Sequence, residues 1–313
     1  MLKQIEGSHA VAEVVAKCRP NVISAYPITP QTHIVEELAS IVGKGNLDAE
    51  YVNVESEFSA ASVVLGASAA GARAYSATTS QGLLLMSEVV YCIAGMRLPI
   101  VFTIANRAIS APLSIWNDQQ DSMALRDAGW IQLHSEDNQE AADLHIQAFK
   151  IAEETHLPVM VCMDGFILTH AFEQVDTPDQ KEVDSFLPPF QPTNIVDPRW
   201  PRGIGLFADP RFYMETRYIL HRAMEKSEET IKKVSEDFKK TFGRDSGGFI
   251  KTYKLKDADV VVISMGSLVG TIKDLIDQLE EEGKKVGLLQ ICSYRPFQRK
   301  EIYNTLKDKM NIV

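Results

Sequence analysis

Short apolar runs alternate with longer amphipathic segments along the first half of the chain. The apolar runs predict strands, and the segments with helical spacing predict helices. Strands are expected at 22–25, 51–54, 72–77, 99–105 and 158–163, and helices at 8–18, 32–42, 57–70 and 80–93. This alternation is typical of a parallel sheet with helices on both faces, so residues 1–175 are predicted to form a doubly wound α/β domain.

The pattern changes after residue 175. Seven of the 14 prolines lie between residues 178 and 210, which predicts an extended connector. An amphipathic helix is expected over about 211–242, with apolar residues near helical spacing at Ile219, Met224, Ile231, Val234 and Phe238. We therefore assign residues 176–257 to a proline-rich connector and one long helix.

A second α/β unit is predicted over residues 258–313. Strands are expected at 260–264, 286–291 and 310–313, and helices at 268–282 and 298–308. So few residues cannot close a doubly wound sheet. The unit is therefore expected to be incomplete, or to be completed by another chain.

Charge and cysteine content narrow the possible functions. The 313-residue chain has 32 Lys and Arg against 42 Asp and Glu, and this acidic balance argues against nonspecific binding to nucleic acid or anionic membranes. The four cysteines are widely spaced without a CxxC motif, so neither an iron–sulfur cluster nor a zinc site is expected from this chain alone. A reducing cytoplasm is the expected compartment.

No membrane segment or signal peptide is predicted. The first ten residues, MLKQIEGSHA, lack the apolar core of a signal peptide. The longest apolar stretch, 89–105, is interrupted by Arg97 and Pro99 and is too short to cross a bilayer.

Three segments at predicted strand ends carry candidate chemistry. Thr29 lies between two prolines after the first strand, Glu55 and Glu57 flank a helix start, and Arg107 follows the strand 99–105. Ligands of open α/β sheets bind beyond such strand ends, and an arginine there can bind a substrate carboxylate. Taken singly, each segment also has a purely structural interpretation. Thr29 can belong to a rigid turn, the two glutamates can stabilise a helix dipole, and Arg107 can form a surface salt bridge.

Taken together, the segments resemble a known family. The order YPITP, VESE with a helix of small residues, TSQGLLLMSE, AGMRLPIVF and NRAISAPLSIWNDQQD is similar to α subunits of the 2-oxoacid:ferredoxin oxidoreductases, and most similar to the pyruvate type. The resemblance is dense to about residue 170, over the family's pyrimidine-binding thiamine diphosphate domain. Thereafter DADVVVISMGS and RPF resemble the start of its transketolase C-terminal-like domain.

The resemblance implies roles for individual residues. Glu57 matches the glutamate that hydrogen-bonds N1′ of the aminopyrimidine ring, and Glu55 is the second choice for that role. Thr29 and Arg107 match the pair that holds the substrate carboxylate. Pro27 matches a cofactor contact and Ile115 an apolar wall near the reacting centre.

The resemblance also implies cofactors and partners. Thiamine diphosphate needs Mg²⁺ held by a GDG…N-type motif, and the nearest string here, 163–165, lacks the first glycine. No metal ligand is therefore expected from this chain. A β subunit is expected to supply the pyrophosphate and Mg²⁺ site, and γ and ferredoxin-like δ subunits to complete a hetero-oligomer in which partner subunits hold the iron–sulfur clusters.

The implied reaction is the oxidative decarboxylation of pyruvate with CoA, which yields acetyl-CoA, CO₂ and reduced ferredoxin. Two alternatives remain open at this point. A branched-chain 2-oxoacid such as 2-oxoisovalerate is the alternative substrate, and a noncatalytic assembly subunit is the alternative of a different class.

Overall fold

The computed structural model describes residues 2–205 and 207–313. Up to residue 186 its elements are β1 (Leu2–Glu6), α1 (Gly7–Lys17), β2 (Val22–Ala25), α2 (Thr32–Gly43), β3 (Glu50–Asn53), α3 (Glu57–Ala69), β4 (Ala74–Thr78), α4 (Ser80–Leu85), α5 (Ser87–Gly95), β5 (Val101–Asn106), α6 (Gln120–Ala124), β6 (Ile131–His134), α7 (Asn138–Thr155), β7 (Val159–Asp164), β8 (Phe172–Asp176) and α8 (Gln180–Phe186). Then come α9 (Tyr213–Phe242), β9 (Ile250–Tyr253), β10 (Val260–Ser264), α10 (Leu268–Glu281), β11 (Val286–Ile291), β12 (Ser293–Arg295), α11 (Arg299–Leu306) and β13 (Asn311–Ile312).

The main sheet has seven strands in the order β12-β6-β7-β5-β4-β2-β3. Its strands from β6 to β3 are parallel, whereas β12 joins the edge antiparallel to β6. The predicted α/β class with a parallel sheet is confirmed. The predicted helix over 80–93 is wrong in one respect, because it is divided at Met86 into α4 and α5.

The small residues of α3 explain its place in the fold. Ser56 caps the helix, its hydroxyl oxygen accepting a hydrogen bond from the Ser59 N–H at 3.2 Å. Ala60, Ala61 and Val64 are buried, and the helix packs on β2 and β4. Short side chains allow this close packing, which places the first residue of α3 at the end of the sheet.

The sequence pattern predicted no element between residues 106 and 157, yet α6, β6 and α7 lie there. Most of α7 is buried, including polar residues such as Asp143, His145 and Gln147. Because these polar residues occupy core positions, the apolar spacing that identifies a helix is weakened. Tertiary hydrogen bonds satisfy them instead, and these bonds cannot be read from the local pattern.

The connector and the long helix differ from the prediction in detail. Residues 180–186 form the helix α8, with a capping box between Asp179 and Glu182, so this part of the expected connector is helical. In α9 the buried stripe contains Leu220, and Ile219 is exposed. Steps of three and four residues from Leu220 reach the buried residues Ile231, Val234 and Phe238, so Leu220 lies on the same face of the helix. Ile219 lies about 100° away around the helix.

The second sheet has the strand order β13-β10-β11-β9. β10 pairs in parallel with β11 and β13, and β9 pairs antiparallel to β11. The chain then leaves this sheet and adds β12 to the main sheet, where Ser293 pairs with Leu133. The two sheets are therefore joined by backbone hydrogen bonds as well as by side chains.

A buried chain of hydrogen bonds links β4, β5 and α7. The Tyr75 hydroxyl donates to Thr103 Oγ1 at 2.6 Å, and Thr103 donates to Nε2 of His145 at 2.5 Å. Nδ1 of His145 in turn donates to the carbonyl of Ala141 at 2.6 Å. This arrangement holds the imidazole neutral, and burial lowers the pKa of His145 to about 4.

This lowered pKa predicts acid sensitivity. Between pH 4 and about 6.5 an unfolded histidine binds a proton that folded His145 does not, so the free energy of unfolding falls with decreasing pH. At pH 5 the loss relative to pH 8 is roughly 2 kcal/mol from this one residue. We expect His145→Gln to make the dependence shallower by this amount, as measured by urea unfolding from pH 5 to 8. His134, whose pKa burial also lowers to about 4, keeps its own share of the dependence.

His221→Gln is the matched control because His221 lies exposed on α9. It replaces a histidine outside the buried hydrogen-bonded chain and should not reproduce the effect of His145→Gln. Parallel pH curves for wild type and His145→Gln would contradict the assignment.

Candidate functional site

The parallel strands β2, β3, β4, β5 and β7 end at the same edge of the main sheet. Thr29 follows β2, Glu57 begins α3 shortly after β3, and Arg107 follows the last residue of β5. The structure therefore brings these three predicted residues to one edge, which we call the strand-end edge. In open α/β sheets this is the edge where ligands bind.

Glu57 is a buried carboxylate without a partner. Its exposed fraction is 8%, and it makes no side-chain hydrogen bond or ion pair with the described residues. A largely buried carboxylate normally has a hydrogen-bond donor in the protein, so Glu57 is free to accept a hydrogen bond from a ligand. The N-terminal position in α3 offsets part of the cost of the charge.

Gly82 shapes the space around this carboxylate. A Cβ atom at Gly82 would lie 2.8 Å from Glu57 Oε1 and 2.7 Å from Thr78 Oγ1. Only glycine therefore allows α4 to lie so close to Glu57. The buried Thr78 hydroxyl also lacks a hydrogen-bond partner in the described chain.

Glu55 differs from Glu57 in its surroundings. Its side chain is exposed and accepts a hydrogen bond from the hydroxyl of Ser59. This contact belongs to the start of α3 and lowers the pKa of Glu55. Burial and the missing partner thus single out Glu57 from the two acids.

Arg107 is a nearly buried cation that forms no ion pair with a described residue. Its exposed fraction is 7%. Nη1 donates to the carbonyl of Thr29 at 2.7 Å and Nε donates to the carbonyl of Ser114 at 3.1 Å. Two neutral carbonyls orient the guanidinium and leave its charge uncompensated, which suits a carboxylate ligand. The alternative of a surface salt bridge is wrong.

Asp121 organises this edge, and the sequence pattern did not single it out. Its buried carboxylate accepts hydrogen bonds from Asn106 Nδ2 at 2.7 Å and from the N–H groups of Ser80, Arg107 and Ser122 at 2.9, 3.1 and 2.8 Å. Burial raises the pKa of Asp121, and these hydrogen bonds oppose the rise. In the sequence it is one of several polar residues in a predicted loop, so no local signal distinguishes it.

The loop from Arg107 to Gln119 forms one wall of the edge. Ile115 and Trp116 are exposed on it, and the Trp116 ring lies 5.1 Å from the ring of Phe166 beyond β7. Pro27 is also exposed, after β2. Ile115 and Pro27 lie at the predicted edge, but no hydrogen bond or ring contact joins either to Arg107 or Glu57 within the described residues.

The residue types at the strand-end edge fit the aminopyrimidine end of thiamine diphosphate. An unpaired buried carboxylate suits a ring nitrogen, and an unpaired guanidinium suits a carboxylate substrate. Among residues 2–205 and 207–313, no group of three or more His, Cys, Asp or Glu side chains could hold a metal ion. No helix in the described part of the chain is both long and apolar enough to cross a membrane.

Two family models match the chain. The thiamine diphosphate-binding region of pyruvate flavodoxin/ferredoxin oxidoreductases matches residues 13–236. Core domain II of pyruvate:ferredoxin oxidoreductases matches residues 258–313. Together they span the main sheet and all of the second sheet except β9, which lies between the two matched ranges.

Curated relatives are similar over almost the whole chain. Pyruvate synthase subunit PorA of Methanosarcina barkeri is 53% identical over 312 residues, which are 99% of this chain and 78% of the relative. The Methanocaldococcus jannaschii PorA is 51% identical, over 99% of this chain and 81% of its own length. Ketoisovalerate oxidoreductase subunit VorA of Pyrococcus horikoshii is 44% identical, over 96% of this chain and 76% of that protein.

A solved structure has the same fold. The 2-oxoglutarate:ferredoxin oxidoreductase from Magnetococcus marinus superposes with a TM-score of 0.79 at 20% identity. The match covers 99% of this chain and 57% of that chain. From the family models and the curated relatives, the chain belongs to the pyruvate flavodoxin/ferredoxin oxidoreductase family, within its thiamine diphosphate-binding part and core domain II.

Proposed function

We propose that this chain is the subunit of a pyruvate:ferredoxin oxidoreductase that holds the aminopyrimidine of thiamine diphosphate and the carboxylate of pyruvate. In the overall reaction, pyruvate and CoA give acetyl-CoA and CO₂, and two electrons pass to ferredoxin. The observation that carries the proposal is the presence of two buried, uncompensated charges, Glu57 and Arg107, at one strand-end edge.

The proposed chemistry divides between the cofactor and this chain. When bound, thiamine diphosphate supplies the nucleophilic carbon and the electron sink that decarboxylation of a 2-oxoacid requires. Glu57 holds the aminopyrimidine N1′ and shares a proton with it, for which its buried position is suited. Arg107, oriented by the Thr29 carbonyl, pairs with the substrate carboxylate. In this proposal the Thr29 hydroxyl adds a hydrogen bond to the same carboxylate.

The choice of pyruvate over a branched-chain 2-oxoacid is supported by relatives from one organism. In Pyrococcus horikoshii the PorA subunit is 49% identical to this chain and the VorA subunit 44%. The alternative of a noncatalytic assembly subunit is disfavoured by the site itself. A subunit with no ligand would gain nothing from leaving a buried carboxylate and a buried guanidinium unpaired.

We further propose that a β subunit covers the strand-end edge and supplies the pyrophosphate and Mg²⁺ site. Exposed apolar side chains surround this edge at Tyr26, Phe58, Ile115, Trp116 and Ile167. Clustered exposed apolar residues are typical of a face that another protein covers. Such a contact would also exclude water from Glu57.

The γ and ferredoxin-like δ subunits, with their iron–sulfur clusters, complete the proposed complex, which is active only when assembled. Three of the four cysteines, Cys18, Cys162 and Cys292, are buried apart from one another in this chain, which suits a cluster held elsewhere. All four cysteines are free thiols, which supports a reducing cytoplasm as the proposed location.

The substrate assignment is tested on the native complex purified without oxygen. CoA-dependent reduction of a low-potential dye should be fastest with pyruvate when pyruvate, 2-oxoisovalerate and 2-oxoglutarate are compared. A higher kcat/KM for 2-oxoisovalerate would transfer the assignment to the branched-chain type.

Glu57→Gln removes the carboxyl group that can gain and lose a proton while keeping the size of the side chain. We expect kcat in the assembled complex to fall about 10²-fold or more, the usual scale for loss of acid–base assistance. The measurement is pyruvate- and CoA-dependent dye reduction at saturating thiamine diphosphate.

Glu55→Gln is the matched control, because Glu55 lies two residues away and is exposed. It should retain nearly the full rate. Equal losses in the two variants would remove Glu57 from its assigned role.

Arg107→Ala should chiefly raise the KM for pyruvate. A charge-assisted hydrogen bond contributes about 1.5–3 kcal/mol, so the expected increase is roughly 10- to 100-fold. Arg126→Ala serves as a control at an exposed arginine. An unchanged KM in Arg107→Ala, measured by steady-state kinetics, would exclude the carboxylate contact.

A further inference from the structure

Asp164, the last residue of β7, joins three segments with one buried carboxylate. Its exposed fraction is 2%. Oδ2 accepts hydrogen bonds from the N–H and the hydroxyl of Ser267 at 2.8 and 2.6 Å, and Oδ1 accepts one from Nε2 of Gln119 at 3.3 Å. Ser267 precedes α10 in the second unit, and Gln119 is the last residue of the loop that begins at Arg107.

The fit at this junction is close. Gly266 has a φ of +74°, and a Cβ there would lie 2.7 Å from both Asp164 Oδ2 and Gln119 Nε2. Only glycine satisfies both the backbone conformation and the space. The turn between β10 and α10 therefore rests directly on the Asp164–Gln119 pair.

The same carboxylate forms no ion pair with a cation among the described residues. The carboxylate faces the N-terminus of α10, where the Ser267 N–H donates to it and the helix dipole favours an anion. The attraction between the Asp164 carboxylate and the N-terminus of α10 therefore holds the second unit against the main sheet.

The end of β7 also touches the segments that carry the proposed substrate contacts. The N–H of Gly165 donates to the carbonyl of Asn106 at 2.9 Å. A Cβ on Gly165 would lie 2.7 Å from Cγ of Pro30, the residue after Thr29. The residue after Asp164 is thus packed against the residues that adjoin Arg107 and Thr29.

We propose that Asp164, Ser267 and Gln119 are positioning residues through which the second unit fixes the loop 107–119, and with it the Arg107 guanidinium. The loop contributes the Ser114 carbonyl that orients Arg107, so a displaced loop misdirects the cation. None of the three residues acts on substrate directly. The proposal rests on the proposed function only for the carboxylate contact of Arg107.

The test compares Ser267→Ala and Asp164→Asn in the assembled complex, with pyruvate as the probe. We expect KM for pyruvate to rise about 10-fold in Asp164→Asn, and less in Ser267→Ala, which keeps the backbone N–H bond. The KM for CoA and the thiamine diphosphate content should not change. A merely structural role would lower the amount of active complex and leave KM unaltered.

Hydrogen–deuterium exchange supplies a readout that needs no substrate. Amides of residues 107–119 should exchange faster in both variants than in the wild type. Lys273→Gln is the matched control, since Lys273 also lies on α10 and pairs with Glu136 of the main unit at 2.5 Å, away from the loop. It should change neither the exchange of the loop nor the KM for pyruvate.

The outcomes distinguish the positioning role from the assignment of pyruvate as the substrate. Faster amide exchange in the loop of a complex that does not turn over pyruvate would support the positioning role and refute the assignment of pyruvate as the substrate. Unchanged exchange and unchanged KM in both Ser267→Ala and Asp164→Asn would overturn the positioning role. An equal effect of Lys273→Gln would also overturn it, since general loosening of the second unit would then suffice.

Discussion

The geometry of the strand-end edge depends on the buried carboxylate of Asp121. Its four hydrogen bonds tie the turn after β4, the end of β5 and the start of α6 to one point. An isolated carboxylate would be costly to bury, and each donor offsets part of that cost. Because the donors come from separate segments, satisfying the charge fixes those segments relative to one another. Arg107 is held through its own backbone in this arrangement.

Around this fixed centre the chain leaves two charges uncompensated. Glu57 and Arg107 are both buried, and neither forms an ion pair with a described residue. Buried charges without partners reduce stability, so their presence is expected where function requires them. The contrast with Asp121, whose four donors are all internal, separates a structural carboxylate from one available to a ligand.

The second unit is joined to the main sheet by several contacts. β12 extends that sheet by pairing with β6, and Asp164 accepts hydrogen bonds from the turn before α10. A backbone ladder, a buried carboxylate and the Lys273–Glu136 ion pair thus join the units. The Asp164 carboxylate also contacts Gln119, at the end of the loop that begins at Arg107. The second unit is therefore in contact, through Asp164, with one wall of the strand-end edge.

The sequence by itself determined the α/β class, most strands of the main sheet and, through a family resemblance, the grouping of Thr29, Glu57 and Arg107. Apolar runs and strand-end motifs are local signals, so they can be read without coordinates. Only the tertiary structure decided the hydrogen-bond partners of Asp121 and Asp164, the burial of α7 and the place of Leu220 instead of Ile219 in the core. Each of these depends on partners distant in sequence. A carboxylate acquires its role from the donors that surround it, and the fold alone brings those donors together.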